Sequence, residues 1–182
     1  DEQTPIEPVS PYGAVKAFAH QMAKVSRSHG QHVSTVILYN HESPRRPDTF
    51  VTRKITKAAA RIALGSTDSL RLGNMSARRD WGFAGDYVKA MVAALRYDQP
   101  DDFVIATGIS HSIEEFVAAA FTAAGVSDWR AHVQVDDGLL RPNDPADFVG
   151  DASKAREFLG WEPQVDFDEL VAMMVEADLR RD

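Results

Sequence analysis

Tyr12 and Lys16 stand four residues apart in Ser10-Pro11-Tyr12-Gly13-Ala14-Val15-Lys16. On a helix that spacing puts both side chains on one face, one turn from each other. A phenol ionises near pH ~10, and an ammonium beside it, with a cationic cofactor nearby, favours the phenolate. A tyrosine so placed can act as acid or base near neutral pH. The same spacing also arises from a half-buried core tyrosine followed by a solvated lysine, so it does not decide by itself. A second concentration of chemistry is the run Asn40-His41-Glu42-Ser43-Pro44-Arg45-Arg46-Pro47. Further cations stand at Lys54, Arg79 and Arg141, with an acid at Asp144. His29 and His32 lack a carboxylate neighbour and read as surface residues, so no metal site is expected.

These side chains need elements to hold them. Ser10 can cap a helix with Pro11 at its first position, and Val15, Phe18, Ala19, Met22 and Val25 form one apolar stripe along it, up to Gly30. Residues 33–39 (Val-Ser-Thr-Val-Ile-Leu-Tyr) read as a buried strand. The charged run 40–47 is then a loop at a strand's carboxyl end, where ligands bind in open α/β sheets. A helix is expected over about 50–64, capped by Asp48 or Thr49. Val51, Ile55, Ala58, Ala59 and Ile62 face inward, and Arg53, Lys54, Lys57 and Arg61 load the rest with charge. Lys57 and Arg61 read as part of a solvated face.

Leu70-Arg71-Leu72 reads as a short strand and 78–82 as a charged loop. A helix over about 85–97 should carry Tyr87, Val88, Met91, Val92 and Leu95 on its inner side. A strand over 103–107 follows, then a capping box at Ser112 and Glu115 opening a helix that stops at Gly125. Residues 131–135 suit an exposed strand and 136–147 a loop. A short helix over 152–159 ends at Gly160, and Asp166 with Glu169 caps a last helix over about 167–180. Alternating strands and helices make the class α/β. With no repeat and no clean linker, residues 1–182 read as one compact unit.

The 182 residues carry 20 basic and 27 acidic side chains, a net charge of −7, and no cysteine. An acidic chain is a poor non-specific nucleic-acid binder. The lack of cysteine removes disulfides, thiolate metal sites and cysteine nucleophiles. No apolar run approaches the ~20 residues of a membrane span, so no membrane partner is expected and a cytoplasmic location is. Neither a signal segment nor an initiator Met opens the chain, which is expected to begin within a longer one. No Gly-x-Gly-x-x-Gly or Gly-x-x-Gly-x-x-Gly turn follows a strand, and a dinucleotide pyrophosphate needs such a turn.

Ser10-Pro11-Tyr12-Gly13-Ala14-x-Lys16 resembles the active-site helix of the extended short-chain dehydrogenase/reductase superfamily. Four further stretches narrow the resemblance to the GDP-mannose 4,6-dehydratase family. They are Asn40-His41-Glu42-Ser43-Pro44-Arg45-Arg46, residues 50–56 (Phe-Val-Thr-Arg-Lys-Ile-Thr), Leu72-Gly73-Asn74 with Arg79-Asp80-Trp81-Gly82, and residues 103–108 (Phe-Val-Ile-Ala-Thr-Gly). It continues through Arg141-Pro142, Gly150-Asp151-x-Ser153-Lys154-Ala155 and Leu159-Gly160-Trp161-x-Pro163. The run at 40–46 is the specific signal, because the whole superfamily shares the Tyr-Lys pair.

The resemblance implies the C-terminal half of such an enzyme. Residues 1–40 would finish the dinucleotide-binding Rossmann domain, and 41–182 would be mainly the smaller α/β sugar-nucleotide domain. The glycine-rich half, with the family's active-site Ser/Thr and Glu, would lie upstream. The implied reaction is NADP-dependent internal redox, turning GDP-mannose into GDP-4-keto-6-deoxymannose. Tyr12 would take the carbon-4 hydroxyl proton, and Lys16 would hold the nicotinamide ribose and lower the tyrosine's pKa. His41 and Arg46 would complete the cofactor contacts. Asn40 would touch substrate, and Val51, Lys54, Arg79, Arg141 and Asp144 would surround GDP. A homodimer or homotetramer is implied. The isolated chain is expected to be inactive.

Three features depart from the family pattern: Leu139-Leu140 stands where an aromatic pair is usual, Asp144 where Glu is usual, and the segment between Gly125 and Arg141 is short. Two other readings stay open here, another sugar-nucleotide epimerase or reductase and an inactive GDP-sugar-binding module.

Overall fold

The computed structural model describes residues 1–140 and 147–180. Helix α1 (Pro11–Ser28) starts at Ser10, whose Oγ accepts from the Gly13 amide at 3.0 Å, with Pro11 in the first position. Strands β1 (Thr35–Leu38) and β2 (Asn40–Glu42) follow, then α2 (Val51–Ala63), β3 (Leu70–Leu72), β4 (Arg78–Phe83) and α3 (Ala84–Arg96). The second half runs β5 (Asp102–Ile105), β6 (Ser110–Ser112), α4 (Ile113–Ala123), β7 (Val133–Val135), α5 (Ser153–Leu159) and α6 (Phe167–Leu179). Both expected capping boxes form, Ser112 with Glu115 on α4 and Asp166 with Glu169 on α6. Gly160 ends α5 at φ 60°, a left-handed position that favours glycine.

Among the described residues the strands form three small sheets. β1 pairs parallel with β5, Val36 opposite Phe103. β2 pairs parallel with β4, Asn40 opposite Trp81, and β4 pairs antiparallel with β6. β3 pairs parallel with β7. Two apolar cores organise them. One gathers α2, α4 and α6 around Ile55, Ile62, Phe116, Phe121, Leu170 and Met174, with Trp81 of β4. The other joins β1 and β5 to α3 and α5 through Phe103, Ile105, Tyr87 and Trp161. The α/β class expected from the alternation is what forms.

Several expectations need correction. Residues 78–82 are not a loop but most of β4. Asp80, fully buried there, is satisfied by the Thr107 amide and hydroxyl at 2.9 and 2.7 Å and by the Gly108 amide at 2.9 Å. Asn40, His41 and Glu42 are strand rather than loop for a related reason, since the buried Glu42 side chain is bonded inside the protein. Helix α2 begins after Phe50 with no side-chain cap, because Asp48 pairs with Lys57 Nζ at 2.9 Å instead. Arg53 does not share the solvated face of α2 but is 4% exposed.

The apolar stripes of α1 and α3 both face outward, which for α3 reverses the expected inner side. Helix α1 buries no residue, and Val15, Phe18, Met22 and Val25 face outward. On α3 only Tyr87 of the expected inner set is buried, while Val88, Met91, Val92 and Leu95 are exposed. Ala90 and Ala94 take the inner positions, where small side chains let the helix sit close to the strands.

Candidate functional site

Of the charged residues singled out above, Glu42, Arg46, Lys54 and Arg79 meet in one cleft of about 520 Å³. Asn40 and Glu42 of β2, Arg46 of the following loop, and Val51 and Lys54 of the first turns of α2 form one wall. Arg71 and Leu72 of β3 and Arg79 and Trp81 of β4 form the other. The N-terminus of α2 opens here with no acidic residue in its first turn, so its amide dipoles add to the positive field.

The cleft is cationic although the chain is acidic. Its cations are Arg46, Lys54, Arg71 and Arg79, and Glu42 is the acid among the lining residues. Glu42 is 2% exposed and already engaged, with Oε2 accepting from Thr52 Oγ1 at 2.9 Å and lying 3.1 Å from Arg46 Nε. Burial pushes the Glu42 carboxyl up, and Arg46 and Thr52 only partly pull it back.

Arg46 is held on two sides. Its guanidinium lies 3.6 Å over the Phe50 ring, opposite the Glu42 pairing. With Nε facing Glu42, the two Nη groups are the donors left for a ligand, a fork that matches a phosphate ester. The loop carrying Arg46 is itself fastened, since Arg53 Nη1 donates to the Pro44 carbonyl at 2.8 Å. Arg53 Nη2 in turn pairs with Asp178 Oδ1 of α6 at 2.6 Å, and Thr56 Oγ1 donates to the same carboxylate at 2.8 Å.

The other sequence candidates are placed as follows. Lys54 Nζ donates to the Arg71 carbonyl at 2.6 Å. Arg79 Nη1 donates to the Arg78 carbonyl at 2.5 Å. His41 lies outside the lining, its Nδ1 2.9 Å from the Tyr39 carbonyl and its ring beside Tyr87. Tyr12 and Lys16 sit early on α1, exposed, and neither lines the cleft; Tyr12 is 75% exposed. Arg141 and Asp144 fall outside the described residues. His29 and His32 each meet a backbone carbonyl, of Val25 and Leu95.

Sequence reasoning missed Glu42, Phe50, Thr52, Arg71 and Trp81 in the lining and Arg53 behind it. Arg71 had a signal in its place between two apolar strand residues, which turns it away from the core. Arg53 had none locally, because its partner lies on the last helix.

The sequence profile described as GDP-mannose 4,6 dehydratase matches residues 1–174. GDP-mannose 4,6 dehydratase 1 of Arabidopsis thaliana is 49% identical over 179 residues, covering 98% of this chain and 49% of the relative. The Homo sapiens GDP-mannose 4,6 dehydratase is 44% identical over 195 residues, covering 98% and 52%. The chain thus spans about half the length of the relatives it matches. Among solved structures, RMD from Pseudomonas aeruginosa complexed with NADPH superposes with TM-score 0.90 at 19% identity, over all of this chain and 60% of that one, which shows a shared fold. A Thermus thermophilus UDP-glucose 4-epimerase complex with NAD superposes with TM-score 0.82 at 26% identity, over 98% of this chain and 57% of that one.

Proposed function

The chain belongs to the GDP-mannose 4,6-dehydratase family, and on that premise we propose that it is the substrate-binding half of an enzyme converting GDP-mannose to GDP-4-keto-6-deoxymannose. The observation that carries this reading is the cleft: four cations, a helix N-terminus, and one acid already committed to Arg46 and Thr52. Such a lining suits a sugar diphosphate. Lys54 and Arg79 take the diphosphate, with Arg141 and Asp144 completing the GDP contacts. Asn40 orients the sugar, and Val51 packs on the nucleoside.

The nicotinamide cofactor, which we assign as NADP, supplies the hydride acceptor for carbon 4 and the donor for carbon 6. The residues present fit its ribose and phosphate-ester ends only, and the glycine-rich turn for its pyrophosphate is assigned upstream. Arg46, braced by Glu42 and Phe50, offers its Nη groups to the phosphate ester. Lys16 holds the ribose, and His41 stands next in sequence to the substrate contact Asn40. Tyr12, as base, takes the proton of the carbon-4 hydroxyl; without that transfer carbon 4 cannot become a carbonyl. Eliminating water across carbons 5 and 6 requires a second acid/base, assigned to an upstream glutamate. We therefore expect these 182 residues alone to bind GDP-mannose without turning it over, and the whole enzyme to act as a cytoplasmic homodimer or homotetramer.

Calorimetry of the 182-residue chain tests the reading. GDP-mannose should bind, and Lys54→Ala and Arg79→Ala should each weaken it about tenfold or more, the worth of a charge-assisted hydrogen bond. Absence of binding, or preference for UDP-glucose, would reject it.

A further inference from the structure

We propose that Arg71 reads the nucleobase, its guanidinium taking the acceptor edge (O6 and N7) of the guanine of a GDP-sugar. This rests on the GDP-sugar reading of the cleft and adds a residue to which that reading gives no role. Arg71 occupies a boundary. It lines the main cleft and, with Lys54, a second hollow of about 210 Å³ between α2 and β3. That hollow sets Ala58, Ile62 and Leu70 among Arg61, Ser66, Asp68 and Ser69, a mixed lining whose apolar part a flat base can cover. A ligand with its diphosphate among the cations of the main cleft would reach this boundary with its base.

The guanidinium is presented by fixed structure. Arg71 Nη2 pairs with Asp136 Oδ2 at 2.9 Å, and the Arg71 side chain remains 63% exposed. Asp136 is itself anchored, its amide donating to the Leu72 carbonyl at 2.7 Å and its Oδ1 accepting from the Gly138 amide at 3.0 Å. Where β3 ends, the backbone is pressed against this segment, and a Cβ added at Gly73 would lie 2.7 Å from the Leu139 carbonyl oxygen. Arg71 is therefore a long cation with one end on a strand and its head steadied by a carboxylate. The Lys54 ammonium beside it gives one of its donors to the Arg71 carbonyl.

The chemistry then selects a base. A guanidinium fork matches the two acceptors O6 and N7 of guanine, whereas adenine offers a donor in place of O6. A phosphate ligand at Arg71 would make no such distinction.

Calorimetry of the 182-residue chain with GDP, ADP and inorganic pyrophosphate separates these cases. The wild type should favour GDP over ADP by ~10-fold or more. Arg71→Ala and Arg71→Gln should bring that ratio close to one while pyrophosphate affinity holds, and Asp136→Ala should lose part of the ratio. An equal fall for all three ligands would make Arg71 a phosphate ligand and overturn the proposal. So would a ratio unchanged in both Arg71 variants, or a wild type that binds GDP and ADP alike. If the wild type binds none of the three, the GDP-sugar reading falls as well. A GDP preference that survives the loss of Arg71 removes this proposal alone.

Discussion

Arg53 is the residue whose role is least visible from its neighbourhood in the chain. It stands among Lys54, Lys57 and Arg61, yet only Arg53 of these is buried. Its two Nη groups tie the Pro44 carbonyl of the cleft loop to Asp178 of α6. A buried ion pair owes little net stability to its Coulomb energy, since desolvating both charges offsets most of it, but removing one partner strands the other. Arg53→Ala should therefore cost ~3–5 kcal/mol in urea unfolding. The apolar pair Arg53→Met with Asp178→Leu should cost clearly less than the single change. The same single change removes one tether of the loop that carries Arg46. If Arg53→Ala unfolds like the wild type, the pair is not the brace described here.

Helix α1 is attached by charge rather than by apolar packing. Arg27 Nη2 reaches Asp102 Oδ1 at 2.5 Å, with His20 Nε2 at 3.4 Å and Lys24 Nζ at 3.7 Å from the same carboxylate, and no residue of the helix is buried. Burial pushes the Asp102 carboxyl up, but Arg27, then Thr35 and last His20 reverse this and leave it below the usual range. A carboxyl depressed in the folded state contributes stability above its unfolded pKa and loses it as pH falls through the folded value. The attachment of α1 should thus be intact at neutral pH and fail below about pH 4, the ordinary aspartate range. Salt near 1 M, where the screening length is about 3 Å, should weaken its more exposed pairs. Hydrogen exchange of residues 11–28 measures this: Asp102→Asn should speed it at pH 7 while α4 stays protected. Unchanged exchange would show that something else holds the helix.

This element also marks how far the sequence could be read. Caps, breakers and the alternation of elements were legible because they depend on a few adjacent residues: Ser10 with Pro11, Ser112 with Glu115, Asp166 with Glu169, Gly160. The cleft was legible in part, since Asn40, Arg46, Val51, Lys54 and Arg79 do line one cavity. Apolar periodicity says which face of a helix is apolar but not what covers it, and this is why the stripe of α3 was expected to face inward. Charge likewise says nothing of solvation. Asp80 read as part of a charged loop and Arg53 only as one of four cations on α2, and distant partners, Thr107 and Asp178, hold them in buried positions.

At the scale of the whole molecule, the two exposed apolar faces have a direct consequence. On α1, Phe18 is 66% exposed beside Val15, Met22 and Val25; on α3, Leu95 is 68% exposed beside Val88, Met91 and Val92. Large apolar side chains gathered on one helix face lose free energy of transfer when left in water, roughly 25 cal/mol per Å², and contiguous patches of this kind mark association sites. The chain also spans only about half the length of its relatives, so these faces in the isolated 182 residues have nothing from a longer chain to cover them. The purified chain should therefore scatter light above its 20.1 kDa monomer mass at micromolar concentration. Charges placed in the stripes, Phe18→Glu with Leu95→Glu, should shift it toward the monomer without lowering the thermal midpoint, because neither side chain is part of a core. Adding salt should not dissociate the wild-type assembly, which distinguishes apolar association from the ionic attachment of α1. A wild-type chain that stays monomeric through this range would mean that both faces tolerate water as they stand.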